Sequence, residues 1–135
     1  MLQPARRKYR KEFRDTMKGN ALRGSTIAFG EFGLKAVTGG WVKSQQLEAA
    51  RRTISHYTKR SGKTFIRVFP QKPYTKRAAG SRMGSGKGDI EGYVAVIRPG
   101  TILFELTGVT PQIAKEAFRL AGHKIAVRTK FVAKD

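Results

Sequence analysis

The segment that decides the fold is residues 93–122, "YVAVIRPGTILFELTGVTPQIAKEAFRLAG". Two apolar runs flank Pro99 and Gly100, a pair favoured at the centre of a type II turn, so the sequence predicts a hairpin of two strands. Thr110 and Pro111 then provide the N-cap and the first residue of a helix. The apolar residues that predict the buried face of this helix are Ile113, Ala117, Leu120 and Ala121. Two strands followed by a helix indicate an α+β domain.

A second helix is predicted upstream, in residues 44–62, "SQQLEAARRTISHYTKRSG". Ser44 can cap its first turn and Gly62 marks its end. Its apolar stripe is formed by Leu47, Ala50, Ile54 and Tyr57 with Thr58. Four cations lie off that stripe, namely Arg51, Arg52, Lys59 and Arg60. Such a basic face is either an ordinary solvated surface or a phosphate contact, and the charge of the whole chain favours the contact.

Strand patterns occupy residues 26–37, 63–70 and 124–132. The second of these, "KTFIRVFP", alternates two sets of side chains and stops at a proline. One face of that strand carries Thr64, Ile66 and Val68, and the other carries Phe65, Arg67 and Phe69. The strands and helices together predict one compact α+β domain over residues 25–135, without internal repeats.

The charge of the chain indicates a polyanionic partner. Lys and Arg total 28 and Asp and Glu total 9, a net charge of +19 over 135 residues. Such an excess repels itself in the compact state, so nucleic acid is the first candidate partner and an anionic membrane surface the second. There is no cysteine, which excludes a disulfide framework and a thiol nucleophile. No secretory signal and no apolar run of about 20 residues is found, so a soluble, cytoplasmic protein is expected.

Residues 1–24 are predicted to form a basic N-terminal arm. They hold eight cations and two acids, Glu12 and Asp15, with few apolar residues to bury. An arm of this composition orders only against a partner. A solvated tail is the alternative, but the charge density favours contact with RNA.

A glycine-rich basic loop is predicted for residues 71–88, with five cations and no acid. Its glycines and Lys87 suggest phosphate, but a nucleotide P-loop would need a glycine where Ser81 stands and a hydroxyl where Gly88 stands. The remaining readings are a thin backbone inserted among nucleic-acid phosphates and a plain spacer. Loops of this length in compact domains are usually functional or disordered.

The sequence contains no recognisable catalytic or metal site. His56 and His123 lie in separate helical segments without a carboxylate constellation, and a metal site needs several ligands at defined spacing. Asp89 and Glu91 could share a strand face but read better as local counter-charges. Because no serine lies in a nucleophile-elbow pattern either, no enzyme activity and no cofactor are predicted.

Six blocks of the sequence, in order and at similar spacing, resemble one known family. They are "MLQP", "FGLKAV", "QLEAARR", "FIRVFPQKPYT", "RMGSGKG" and "PGTILFELTGV". The chain resembles the bacterial large-subunit ribosomal protein L-sixteen family, which belongs to the universal L-sixteen/L-ten-e family. The resemblance implies an α/β-hammerhead-like α+β fold with a mixed sheet and two helices. Two departures are Gly92, where relatives have an aromatic residue, and the acids that interrupt the arm.

The resemblance also implies a function. Such a protein is a structural constituent of the large ribosomal subunit, binds large-subunit (23S) rRNA beside neighbouring ribosomal proteins, and supports late subunit assembly. It also contacts the A-site tRNA near the peptidyl-transferase region, with the P-site tRNA as a second candidate. The implied rRNA-binding residues are Arg6, Lys8, Arg10, Lys11, Arg51, Arg52, Lys59, Arg60, Lys76, Arg77 and Lys87. The implied loop residues near tRNA are Arg82, Met83, Gly84, Gly86, Lys87 and Gly88, and Arg82 matches an arginine that is hydroxylated in some relatives.

A competing class is a nucleic-acid-binding or membrane-surface protein that acts outside any particle. A membrane-surface role would need a basic amphipathic helix whose bulky apolar face is left exposed. Both predicted helices have apolar stripes suited to packing on a sheet. The sequence therefore favours the ribosomal interpretation.

Overall fold

The computed structural model describes residues 2–5, 19–76 and 89–134, with the backbone alone for Lys76 and Asp89. The helices are α1 (Ser44–Tyr57) and α2 (Pro111–Gly122). The strands are β1 (Phe32–Ala36), β2 (Gly40–Lys43), β3 (Lys63–Ile66), β4 (Lys72–Lys76), β5 (Asp89–Ile97), β6 (Ile102–Thr107) and β7 (Thr129–Ala133). The predicted α+β class with two helices is confirmed.

The strands are divided between two sheets. One sheet has four strands in the order β3-β6-β1-β7, and the other has three in the order β2-β5-β4. Every pairing in both is antiparallel, whereas the family resemblance implied a mixed sheet. The two helices pack against each other. α2 also packs on β1 and β7, and α1 packs on β3 and on β2 and β5, so both sheets contribute to the core.

The predicted hairpin of residues 93–106 is wrong, although its turn is correct. The Thr101 N–H donates to the Arg98 carbonyl (3.2 Å) and Gly100 has φ +97°, the geometry of a type II turn. The strands on either side then enter different sheets: β5 pairs with β2 and β4, and β6 pairs with β1 and β3. β6 is buried along nearly its whole length, and a strand flanked by neighbours on both edges satisfies its backbone groups there.

The buried face of α1 is the predicted one, and the buried face of α2 is rotated. Leu47, Ala50 and Ile54 are buried on α1, as is Thr58 just after it, whereas Tyr57 from the predicted stripe is exposed. On α2 the buried residues are Ala114, Ala117, Phe118 and Ala121, while Ile113 is exposed. The rotation follows from Phe118, because its ring packs against Phe131 with 6.3 Å between centroids and thereby brings its own side of the helix to the sheet.

The caps were predicted with partial success. The Thr110 hydroxyl accepts a hydrogen bond from the Ile113 N–H (3.3 Å), which confirms the cap of α2. For α1 the N-cap is Lys43 rather than Ser44, and the Lys43 N–H donates to the Gln46 side chain (3.0 Å). A reaching Gln at the third helical position can therefore satisfy an N-terminal donor without a hydroxyl at the cap.

Part of the predicted loop at residues 71–88 is a strand. Residues 72–76 form β4, which pairs with β5 as far as Lys76 opposite Asp89. Gly92 lies opposite Tyr74, whose ring would stand 3.0 Å from a Cβ at Gly92. The glycine that departs from the family pattern therefore leaves room for this tyrosine. Residues 77–88 lie outside the described residues.

The N-terminal arm is described only at its two ends. The Ala21 N–H donates to the Pro99 carbonyl (2.9 Å), and the Ile102 N–H donates to the Gly24 carbonyl (2.8 Å). Leu2 packs against the core. The last residues of the predicted arm, 19–24, are thus attached to the domain. Residues 6–18 lie outside the described residues.

Candidate nucleic-acid interface

The outer face of α1 presents one arginine that is paired and one that projects into solvent. The Arg51 Nε donates to Glu48 (3.0 Å), and that hydrogen bond holds the pKa of Glu48 below its ordinary value against the opposing effect of burial. The same hydrogen bond raises the pKa of Arg51. Arg52 reaches Glu48 through Nε alone (3.3 Å), and 69% of its side chain is exposed. Its terminal nitrogens are therefore available to a phosphate.

The C-terminal end of α1 holds two adjacent cations in a strained backbone conformation. The Arg60 N–H donates to the Ser55 carbonyl (2.9 Å) and the Lys59 N–H to the His56 carbonyl (3.2 Å), which are the two hydrogen bonds of a Schellman motif. Lys59 has φ +54° and occupies the position where glycine is usual, and Arg60 follows at φ +63°. A left-handed conformation costs about 1–2 kcal/mol for a residue with a Cβ. Both side chains are exposed, and strain of this kind clusters at binding sites.

A pair of like charges faces the same way across the four-stranded sheet. Lys35 on β1 lies directly opposite Lys130 on β7. Directly opposed like charges destabilise a sheet unless an anion lies between or above them. Sequence reasoning missed this pair: the alternation in residues 124–132 points Lys130 outward, but nothing local predicts which residue faces it.

A buried carboxylate on β6, an inner strand of the same sheet, anchors a segment that precedes β1. Glu105 on β6 is fully buried and accepts hydrogen bonds from the N–H groups of Ala28 (3.1 Å), Phe29 (2.7 Å) and Gly30 (2.7 Å). Arg67 forms an ion pair with it and also donates to the Thr26 carbonyl (3.2 Å). Arg67 is therefore committed to the fold. A glutamate within the apolar run "ILFEL" is the sequence signal that could have revealed this site.

The ionisation of Glu105 is fixed by these contacts. Burial by itself raises the pKa of Glu105, but the hydrogen bonds from Gly30, Arg67, Ala28 and Phe29 outweigh it and hold that pKa below the ordinary value. The carboxylate is thus charged at neutral pH. It anchors residues 26–30 to the sheet.

The described part of the chain has neither a cluster of metal-ligating side chains nor a helix that could span a membrane. Residues 2–5, 19–76 and 89–134 contain no group of three or more His, Cys, Asp or Glu side chains that could hold a metal ion. Within those same ranges, no helix has both the length and the apolar character needed to cross a bilayer. The positive surfaces on α1 and on the four-stranded sheet are thus the features to be explained.

The family model described as ribosomal protein L16p/L10e matches residues 4–132. The chain belongs to the ribosomal protein L16p/L10e family. A member of this family is a structural component of the large ribosomal subunit, and the family is one of ribosomal proteins rather than of enzymes. The predicted family, fold class and placement in the large subunit are confirmed. The match includes the basic arm and the glycine-rich loop.

Some of the predicted site residues of this L16p/L10e chain lie within the described ranges and others lie outside them. Two of the predicted residues lie on α1, namely Arg51 and Arg52, and two lie just after it, namely Lys59 and Arg60. Lys76 is the last residue of β4. The predicted residues outside the described ranges are Arg6, Lys8, Arg10, Lys11, Arg77, Arg82, Met83, Gly84, Gly86, Lys87 and Gly88. Within α1 the structure separates Arg51, which is held by Glu48, from the more exposed Arg52.

Proposed function

We propose that this L16p/L10e chain binds large-subunit rRNA through phosphate contacts centred on the end of α1. Arg52, Lys59 and Arg60 are the main contacts in the described part of the chain. The observation that carries the proposal is the pair of exposed cations held in left-handed conformations after α1. The basic arm adds further phosphate contacts through Arg6, Lys8, Arg10 and Lys11.

Lys35 and Lys130 add a second point of contact. Their mutual repulsion is relieved when a phosphate oxygen lies near both ammonium groups, so RNA binding stabilises a sheet that is strained without it. RNA helices are recognised through shape, phosphates and 2′-hydroxyls, for which exposed lysines and arginines on rigid elements are suited. A membrane surface fits less well, because the apolar faces of α1 and α2 are buried in the core.

The glycine-rich loop has a separate role in this proposal. Lys76 and Asp89 pair where β4 ends and β5 begins, so residues 77–88 connect the two strands at one end of the three-stranded sheet. Arg77 and Lys87 near the two ends of that loop contact rRNA, and the residues from Arg82 to Gly88 approach the A-site tRNA, with the P-site tRNA as a second candidate. Arg82 is the proposed hydroxylation site. The protein supports late assembly and tRNA positioning, and peptide-bond chemistry remains with the RNA.

Salt dependence tests the rRNA contacts. Full-length chain is added to large-subunit particles depleted of this protein, and the dissociation constant is measured as a function of KCl concentration. Arg52→Gln, Lys59→Gln and Arg60→Gln combined should lower the slope of log affinity against log salt by about 2–3, since each phosphate contact contributes about 0.7–0.9.

The matched control carries the same loss of charge elsewhere. Lys115→Gln, Lys124→Gln and Arg128→Gln combined remove three exposed cations from α2 and the segment after it. Their slope should equal that of the wild type. Equal losses in the two triple variants would show that attraction is spread over the surface, and an unchanged slope in the first variant would remove α1 from the interface.

Arg82→Ala tests the contact with tRNA. The melting temperature of the protein should hardly change, because a surface substitution alters stability by about 0.5 kcal/mol or less. Ribosomes that contain the variant should accommodate A-site tRNA more slowly, measured by rapid-mixing kinetics. Arg128→Ala removes an arginine that is exposed on the described part of the chain; it is the control and should leave accommodation unchanged. Normal accommodation with Arg82→Ala would make the loop a spacer, and a large loss of melting temperature would make Arg82 a structural residue.

A further inference from the structure

Phe29 is an exposed aromatic ring supported from beneath. Its side chain is 63% exposed, and its ring stacks on Phe65 with 5.5 Å between centroids and 27° between planes. The Arg67 guanidinium lies 5.2 Å from the centre of the same ring. The Arg67 N–H donates to the Leu103 carbonyl (2.9 Å), which continues the pairing of β3 with β6 by one residue. Phe65 on β3 and Arg67 just after it therefore point to the same side of the chain. Both contact Phe29, whose side chain nevertheless remains mostly exposed.

The backbone that carries this ring is held rigidly. Ala28, Phe29 and Gly30 all donate their N–H groups to the buried Glu105 carboxylate. A Cβ at Gly30 would lie 2.9 Å from the Leu106 carbonyl oxygen, so the chain lies directly on β6. A ring that is fixed in advance loses little conformational entropy when a ligand stacks on it. The buried Glu105 carboxylate thus holds the backbone that carries the exposed Phe29.

The surroundings of the ring are positively charged. The Lys63 ammonium lies 5.2 Å from the centre of the Phe65 ring, and Arg67 lies beneath Phe29. A nucleotide has a flat aromatic base and an anionic phosphate, which match an open ring with cations at its edge. The charge of Arg67 is already balanced by Glu105, so the exposed Lys63 is the cation that a ligand meets. An apolar protein segment would match the ring but would have to desolvate the Lys63 ammonium.

We propose that Phe29 is a stacking platform for an unpaired base of the large-subunit RNA, with Lys63 placed to contact its phosphate. The proposal rests on the proposed function in that rRNA is the partner. It adds base stacking to a set of contacts otherwise made with phosphates. The platform comprises Phe29, Phe65, Lys63 and Arg67, anchored by Glu105.

The test uses full-length variants and large-subunit particles depleted of this protein. Phe29→Ala and Phe29→Leu should each weaken binding by about 5- to 150-fold, the equivalent of about 1–3 kcal/mol per stacked base. Phe29→Tyr should bind like the wild type because it keeps the ring. Phe69→Ala is the matched control, since Phe69 is also exposed (42%) on the segment after β3, and it should bind like the wild type.

A second measurement identifies the partner directly. Assembled subunits are irradiated with short-wavelength ultraviolet light and digested, and mass spectrometry should find a nucleotide adduct on Phe29. Full binding by Phe29→Leu, or an adduct to a peptide instead, would overturn the proposal in favour of a protein contact. Unchanged binding by Phe29→Ala would overturn it while leaving the rRNA contacts of α1 intact. A wild-type chain that fails to bind the particles would remove the proposed function as well.

Discussion

Replacing Glu105 with alanine should lower the free energy of unfolding by about 3–5 kcal/mol, the usual effect of removing one partner from a buried ion pair. The substitution leaves the Arg67 cation and the N–H groups of residues 28–30 without their acceptor. It also opens a cavity on a fully buried strand. Urea denaturation followed by circular dichroism measures the loss.

Glu105→Gln separates charge from shape. The glutamine keeps one oxygen acceptor and has nearly the same volume. Glu105→Gln should therefore lower the free energy of unfolding by less than Glu105→Ala does, but still measurably. Glu116→Ala is the control, because it removes an exposed carboxylate that is paired with Arg119 and should change stability by less than about 1 kcal/mol. If Glu105→Ala were as mild as Glu116→Ala, the carboxylate would not be the anchor of residues 26–30.

The same carboxylate predicts a dependence of stability on pH. The pKa of Glu105 is held below its ordinary value of 4.5 in the folded state, so the folded protein binds a proton less readily than the unfolded chain. The resulting stabilisation is complete above pH 4.5 and is lost as the pH falls through the lowered pKa. Urea midpoints measured from pH 7 to about pH 3 should therefore fall more steeply for the wild type than for Glu105→Gln.

Gly62→Ala should lower the free energy of unfolding by about 2–5 kcal/mol. Gly62 has φ +72°, which costs about 1–2 kcal/mol for a residue with a Cβ. A Cβ there would also stand 2.2 Å from the Thr107 carbonyl oxygen and 3.1 Å from Val109, and the backbone shift needed to relieve such overpacking costs about 1–3 kcal/mol more. Thermal and urea unfolding of the variant measure the total.

Gly24→Ala provides the matched comparison. Gly24 has φ +67°, but a Cβ there would have no atom within 4 Å, so only the conformational cost of about 1–2 kcal/mol should remain. The difference between the two variants isolates the contact between the loop after α1 and the loop after β6. Equal losses of unfolding free energy in the two variants would mean that the two loops can move apart at little cost. The contact would then not fix the position of Lys59 and Arg60.

Local features of the fold could be predicted because their causes are local. Three such features depend only on residues close together in the sequence: the cap at Thr110, the type II turn at Pro99 and Gly100, and the buried stripe of α1. Strand partners could not be predicted in the same way. β5 and β6 adjoin the turn, yet each finds its neighbours elsewhere, because a turn sets the direction of the chain and not its register with distant strands.

The candidate site shows the same division. The exposure of Arg52 follows from helical periodicity and was predicted. Lys59 and Arg60 are exposed as well, but α1 ends at Tyr57, earlier than the sequence predicted, and both lie in the left-handed turn after it. The opposition of Lys35 and Lys130, and the gathering of residues 28–30 around Glu105, depend on tertiary pairing between distant segments. Phe118 rather than Ile113 faces the sheet because an aromatic ring found a partner in Phe131.

The strand order of the four-stranded sheet affects the order in which the protein can fold during its synthesis. β1 emerges during synthesis before either of its two neighbours, β6 and β7. One edge of β1 therefore remains open until β6 has been made and the other until β7 has been made, and unpaired strand edges favour aggregation. The three-stranded sheet is complete once Ile97 has been added. The strands of the smaller sheet are thus all made before the larger sheet can close, because the larger sheet waits for β7.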